Sequence, residues 1–182
     1  MWSSVFVLRP RVTASRARTP TTAQHHLYGH SDGCSARVSA STLRKTEHMP
    51  QLTISAAKMV ADARARIEEI ATDDAIALLQ DPNIVFVDLR DVRERQHSGF
   101  IPKSFHCPRG MAEFWIDPDS PYFKEIFGED KRFIFHCASG WRSALTVATL
   151  NDMGFPAAHL KDGFSAWAKA AGPIQKSDVK RF

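Results

Sequence analysis

Two unbroken apolar runs, Ile84-Val85-Phe86-Val87 and Phe133-Ile134-Phe135, constrain the fold most, because each has strand length and is bounded by turn-forming or charged residues. A strand with one face in water alternates apolar and polar side chains. A strand that is apolar throughout needs cover on both faces, as in a parallel sheet. Helical periodicity fills the intervals. Ala, Lys, Arg and Glu from Ala56 to Glu69 favour helix, with Arg66 to Ile70 able to turn into a short edge strand. Thr72 stands as an N-cap before Asp73 and Asp74, and Ala75, Leu78 and Leu79 share one face up to about Gln80, where Asp81-Pro82-Asn83 stops the helix. Ser143 to Met153 places Ala144, Val147 and Ala148 on one face and ends at Gly154 and Pro156. Ala157 to Leu160 is a short strand. Asp162 then precedes Phe164, Trp167, Ala168 and Ala171 at helical spacing, closed by Gly172-Pro173. Strands alternating with helices imply right-handed crossovers and an α/β fold on a parallel sheet, with ligands at the carboxyl ends of the strands.

Charge divides the chain. The net charge of +4 comes from residues 1–48, which hold seven Lys/Arg against two acids, whereas residues 49–182 hold seventeen against eighteen. The basic stretch is rich in Ser, Thr and Arg and poor in aromatics, so it does not read as a nucleic-acid surface. Three readings of it stand: an organelle transit peptide, a disordered basic tail, or upstream sequence ahead of a true start at Met49. The first would make the protein mitochondrial; the other two leave it cytoplasmic. No apolar run approaches the roughly 20 residues that span a membrane. The organisation expected is therefore a basic extension over 1–48, a helical segment over 49–64 and one domain over 65–178. Cys34, Cys107 and Cys137 form neither a disulfide framework nor a zinc-ligand pattern, so no metal is expected.

The chemistry concentrates at His136-Cys137-Ala138-Ser139-Gly140-Trp141-Arg142-Ser143, which joins a buried strand to a helix. A cysteine there looks into the amino-terminal end of the helix, where unpaired N–H groups and the positive dipole end favour thiolate, the nucleophilic form. Small residues at 138 to 140 let backbone N–H donors converge on one point, and Arg142 adds a guanidinium able to hold an anion with two hydrogen bonds. Such a pocket suits sulfur transfer or phosphoryl transfer, with a cysteine phosphatase or an arsenate reductase as the lesser alternative. Four residues separate Cys137 from Arg142, one fewer than in the cysteine phosphatases, and the smaller ring suits a single sulfur atom.

Val87-Asp88-Leu89-Arg90, Gly99-Phe100-Ile101-Pro102-Lys103-Ser104, Cys137 to Ser143 and Asp162-Gly163-Phe164-Ser165-Ala166-Trp167 occur in an order that resembles the rhodanese family over about Ile84 to Ile174. The resemblance implies a three-layer α/β fold, a five-stranded parallel sheet flanked by helices. It also implies a sulfurtransferase in which Cys137 takes a sulfane sulfur from thiosulfate or a persulfide, holds it as a persulfide, and passes it to cyanide, a thiol or a protein acceptor. Ala138, Ser139, Gly140, Trp141, Arg142 and Ser143 would line the substrate site, with Asp88 and Arg90 in support. No organic cofactor or metal, no nucleic acid and no membrane partner is implied. The family also contains non-catalytic interaction modules, against which the presence of both Cys137 and Arg142 argues. Ala138 stands where many members carry a basic residue, and Phe100 where a histidine is common.

Other residues have structural readings. Asp88 is expected to cap the next turn and brace the loops, with Arg90 pairing to it or to a nearby acid. His136 should point away from Cys137 by strand alternation. Cys107 reads as packing within a short buried strand, with a resolving role toward Cys137 as the alternative. Trp141 either walls the pocket or packs on Phe114-Trp115.

Overall fold

The computed structural model describes residues 50–176, so the readings of residues 1–48 lie outside the described residues. Five parallel strands, β1 (Glu68–Ile70), β2 (Ile84–Asp88), β3 (Phe105–His106), β4 (Arg132–His136) and β5 (Ala157–Leu160), form one sheet in the order β1-β5-β4-β2-β3. Six helices connect and cover it: α1 (Ala56–Arg64), α2 (Thr72–Ala77), α3 (Val92–Ser98), α4 (Ala112–Ile116), α5 (Trp141–Asp152) and α6 (Gly163–Lys169). This is the three-layer α/β architecture expected.

The two apolar runs are the neighbouring central strands β2 and β4, paired from Ile84 opposite Arg132 to Asp88 opposite His136. Period-two alternation divides their side chains. Val85, Val87, Leu89, Phe133, Phe135 and Cys137 enter one core with Val147 and Leu150 of α5 and with Phe127. Phe86 and Ile134 enter the other with Ala75 of α2 and with Phe164 and Trp167 of α6. Trp167 is completely buried, edge-on to Phe86 at 5.6 Å between centroids, and donates its indole N–H to the carbonyl of Pro173 at 2.9 Å. Cores of this kind lose about 3–5 kcal/mol when such a ring is truncated to alanine. On the other face α1 lies over α5, with Val60 and Ala63 packed on Ala144 and Ala148.

Several local expectations need correction. Thr72 does not cap α2: Ala71 occupies the N-cap with no side-chain hydrogen bond, and Thr72 is the first helical residue. The acids at 73 and 74 in the first turn supply the favourable dipole interaction without it. Helix α1 ends at Arg64 and gives way to β1 over Glu68–Ile70, and its N-cap is Ser55, whose side chain accepts from the amide of Lys58 at 3.1 Å. Helix α5 begins at Trp141, two residues before the expected Ser143, because Gly140 adopts a left-handed conformation (φ 86°) and starts the helix inside the loop. Cys107 lies just past the two-residue β3 and is fully buried.

His136 and His159 are completely buried on opposite faces, and neither ring has a hydrogen-bond partner. Burial pushes both imidazoles down to about 4 from an ordinary 6.5. The folded state thus refuses protons that the unfolded chain accepts. Their contribution to stability is complete above about pH 6.5 and drains as pH falls toward 4. Urea titrations between pH 7 and 4 should show stability falling by up to about 2.7 kcal/mol per pH unit, the limit for two protons. Each of His136→Gln and His159→Gln should reduce that slope by about half. A profile that is flat across this window would show that the two rings are protonated in the native state.

Candidate active site

Cys137 sits one residue past the end of β4, 1% exposed, at the carboxyl edge of the sheet. The hydroxyl of Ser143 reaches it, with Oγ 3.5 Å from Sγ, and lies 3.3 Å from the carbonyl of Gly140. The loop between Cys137 and α5 is shaped by the first turn of α6. The amide of Phe164 donates to the carbonyl of Cys137 at 2.8 Å, and that of Ser165 to the carbonyl of Ala138 at 2.9 Å. Two loop carbonyls are thereby bonded outward. The first helical bond of α5 runs from the amide of Ala144 to the carbonyl of Gly140 at 3.0 Å, so the amides just before it have no intrahelical acceptor. Such amides favour negative charge.

Gly163 makes this contact possible. Its φ is +63°, and a Cβ there would lie 2.6 Å from the carbonyl oxygen of Cys137 and 2.9 Å from that of Ala138. The Asp162-Gly163 pair legible in the sequence is thus a close backbone approach between α6 and the cysteine loop.

Arg142 lies in the first turn of α5 and is held by an acid that sequence reasoning missed. Its Nη1 and Nη2 donate to Oε1 and Oε2 of Glu94 at 2.7 and 2.8 Å. The hydrogen bonds of Arg142 hold the Glu94 carboxyl below its usual range. The guanidinium is raised above its ordinary value, first by Glu94 and, against some burial, also by Cys137. Glu94 is itself anchored: Asp91 and Glu94 form a capping box at the start of α3, with the Asp91 amide 3.0 Å from Oε1. The Asp-x-x-Glu spacing is a capping signal that could have drawn attention to Glu94, but nothing local points to a partner 48 residues away. The two-handed grip expected of Arg142 on a substrate anion is therefore occupied by Glu94.

Asp88 and Arg90 form a buried brace. Arg90 donates Nε to Oδ1 of Asp88 at 2.9 Å and Nη2 to Oδ2 at 2.7 Å, and the Arg90 amide reaches Oδ1 at 3.0 Å. Nη1 goes on to Ser98 Oγ at 2.9 Å and Nη2 to the carbonyl of Gly99 at 2.8 Å. Arg95 adds a third contact, 3.0 Å from Oδ2. Burial works against the charged Asp88, but the hydrogen bonds and charge of Arg90 outweigh it and hold the carboxyl below its ordinary value. His136 Nε2 is 3.9 Å from Asp88 Oδ2, and the ring stacks toward Phe164 on the face away from Cys137.

Beneath Gly140 lies a second arrangement with no sequence signal. Arg64, the last residue of α1, pairs with Glu69 at 3.0 Å and Asp162 at 3.6 Å, close to the buried His159. A Cβ on Gly140 would meet Arg64 Nη2 at 2.9 Å and His159 Cε1 at 3.3 Å. Trp141 is half exposed at the start of α5. Cys107 and Cys137 are both free and buried, and burial pushes the Cys107 thiol up to about 12, which makes it a packing residue at neutral pH. Among the described residues no cluster of three or more His, Cys, Asp or Glu side chains could hold a metal ion, and no helix is long and apolar enough to cross a membrane.

The family model of the rhodanese-like domain matches residues 71–170, more than half of the chain, and the chain belongs to that family. The Bacillus subtilis (strain 168) protein named "Putative sulfurtransferase YtwF" is 29% identical over 108 residues, covering 59% of this chain and 96% of that protein. A solved structure from Rhodopseudomonas palustris CGA009, a protein of unknown function described as a possible tyrosine phosphatase, is 53% identical. It covers 70% of this chain and 99% of its own, with a TM-score of 0.67. The thiosulfate sulfurtransferase of Pseudomonas aeruginosa is 25% identical with a TM-score of 0.55; the match covers 70% of this chain but only 23% of that one.

The contact between Gly163 and the loop can be isolated with a second left-handed glycine. Gly154 has φ +89°, and a Cβ there would meet nothing within 4 Å. Gly154→Ala should cost only the conformational penalty, about 1–2 kcal/mol. Gly163→Ala should lose about 1–3 kcal/mol more, because it also forces backbone apart. Equal losses in denaturant titration would show that α6 does not bear on the cysteine loop.

Proposed function

We propose that this chain is a sulfurtransferase that carries sulfur as a persulfide on Cys137, with no other cofactor. The observation that carries this reading is the loop itself: Cys137 Sγ lies at its base with Ser143 Oγ 3.5 Å away, while the carbonyls of Cys137 and Ala138 are bonded outward to α6. The first half-reaction is an attack by the Cys137 thiolate on the outer sulfur of a donor. A new S–S bond forms to Cys137 as the donor's own bond to that sulfur breaks. The bonding pair leaves with the carrier, as sulfite from thiosulfate or as a thiolate from an organic persulfide. Loop amides oriented by α5 stabilise the resulting persulfide anion. In the second half-reaction cyanide, a small thiol or a protein thiol attacks the outer sulfur and restores the Cys137 thiolate. The sulfurtransferase name of the Bacillus relative and the family of the chain support the same reading.

A phosphatase is the rival reading, favoured by the description of the Rhodopseudomonas protein. It shares the need for a cysteine and an arginine, but here only four residues separate Cys137 from Arg142, and the arginine is already paired with Glu94.

Incubation with thiosulfate or an organic persulfide should add one sulfur, about 32 Da, to the peptide bearing Cys137, and Cys137→Ser should abolish the gain. Cyanide should then release the sulfur as thiocyanate. The absence of any mass gain with either donor, together with Cys137-dependent hydrolysis of an aryl phosphate, would replace this reading with the phosphatase.

A further inference from the structure

The position after the nucleophile is Ala138, so the loop's own positive side chain is Arg142 alone. Its guanidinium is engaged by Glu94 through two hydrogen bonds of 2.7 and 2.8 Å. This pairing is built in: Glu94 occupies the third position of α3, and its carboxylate simultaneously closes the capping box with Asp91. The other arginines around the loop also stand beside carboxylates, with Arg90 and Arg95 sharing Asp88 and Arg64 facing both Glu69 and Asp162. A thiosulfate dianion entering here would meet the Cys137 thiolate and a Glu94 carboxylate against one guanidinium. Backbone amides alone would have to compensate the excess negative charge. An organic persulfide brings a single negative charge at most on its sulfur. Trp141, adjacent to Arg142 and half exposed, offers apolar surface to an organic carrier and none that suits sulfite.

Resting on the sulfur-transfer reading, we infer that Glu94 selects the charge class of the donor: its carboxylate neutralises the loop arginine and turns the site from dianions such as thiosulfate toward the persulfide of an organic thiol. Both donors undergo the same balanced exchange at Cys137. They differ in the charge that must approach and in the group that departs. Glu94 acts through Arg142 and is a specificity residue, not a participant in bond making.

The test compares kcat/KM for thiosulfate and for the persulfide of 2-mercaptoethanol, whose carrier is uncharged, in the full chain, in Glu94→Gln and in Ala138→Lys. Glutamine retains an acceptor for the Asp91 amide, so the cap on α3 survives. The wild type should prefer the persulfide. Glu94→Gln should shift the ratio toward thiosulfate by about tenfold or more, mainly through KM, and the shift should shrink in high salt. Sulfate, a dianion that cannot donate sulfur, should inhibit this variant more tightly than the wild type. Ala138→Lys adds a cation without touching α3 and should move the ratio the same way, which keeps the inference testable if Glu94→Gln does not fold. A wild type that prefers thiosulfate, or ratios unchanged in a folded variant, would overturn the role of Glu94 while leaving sulfur transfer intact. Failure of every donor to load Cys137 in the wild type would instead remove the underlying reading, and the inference with it.

Discussion

The carboxyl edge of the sheet depends on one buried ion pair. Asp88 and Arg90 are 0% and 1% exposed, and their pairing satisfies charges that would otherwise be stranded in the core. Removing Asp88 should cost about 3–5 kcal/mol, because it leaves the Arg90 charge buried without its carboxylate, whereas Asp88 keeps Arg95 at 3.0 Å if Arg90 is lost. The consequences here extend beyond stability. Arg90 reaches Ser98 and the carbonyl of Gly99, fixing the end of α3, and its guanidinium lies 3.9 Å over the ring of Phe164. Phe164 donates its amide to the carbonyl of Cys137. A continuous set of contacts therefore runs from the end of β2, through the first turn of α6, to the backbone of Cys137.

That arrangement explains why the cysteine loop can be small and still rigid. Its carbonyls are bonded on the outside by α6, its glycine turns the chain into α5, and Ser143 stands beside the sulfur. The arginines nearby have carboxylate partners, so the attraction that the loop offers an anion comes chiefly from oriented amides. A field of this kind is short in range. Arg142 holds Glu94 with two of its donors, while its charge also bears on Cys137.

The central strands, the order of helices and the position of Cys137 were legible because each is a local pattern: apolar runs, helical spacing and a glycine-bearing strand-to-helix junction. The Asp88-Arg90 pairing was legible too, since the partners stand two residues apart. Glu94 was not legible, because its pairing with Arg142 joins two strand-to-helix connections that the sheet brings side by side. Thr72 satisfied the composition rule for an N-cap, yet the helix begins one residue earlier; the acids that follow it stabilise either start. The early start of α5 follows from the left-handed Gly140, a conformation that the sequence permits without requiring.

The segment before the matched family region also contributes to the site. Helix α1 and strand β1 precede residue 71, yet β1 adds the edge strand beside β5, and α1 packs on α5 through Val60 and Ala63. At the end of α1, Arg64 is placed under Gly140, between Glu69 of β1 and Asp162 at the entry to α6. Its contacts thus meet the cysteine loop at Gly140, beside the backbone of Asp162. The absence of a side chain on Gly140 is required for that approach, since a Cβ would stand 2.9 Å from the guanidinium. Gly140 therefore serves two demands at once, a left-handed turn into α5 and a close contact with α1. The loop that holds Cys137 is in this way shaped by both α6 and the N-terminal helix, which meet at Gly140.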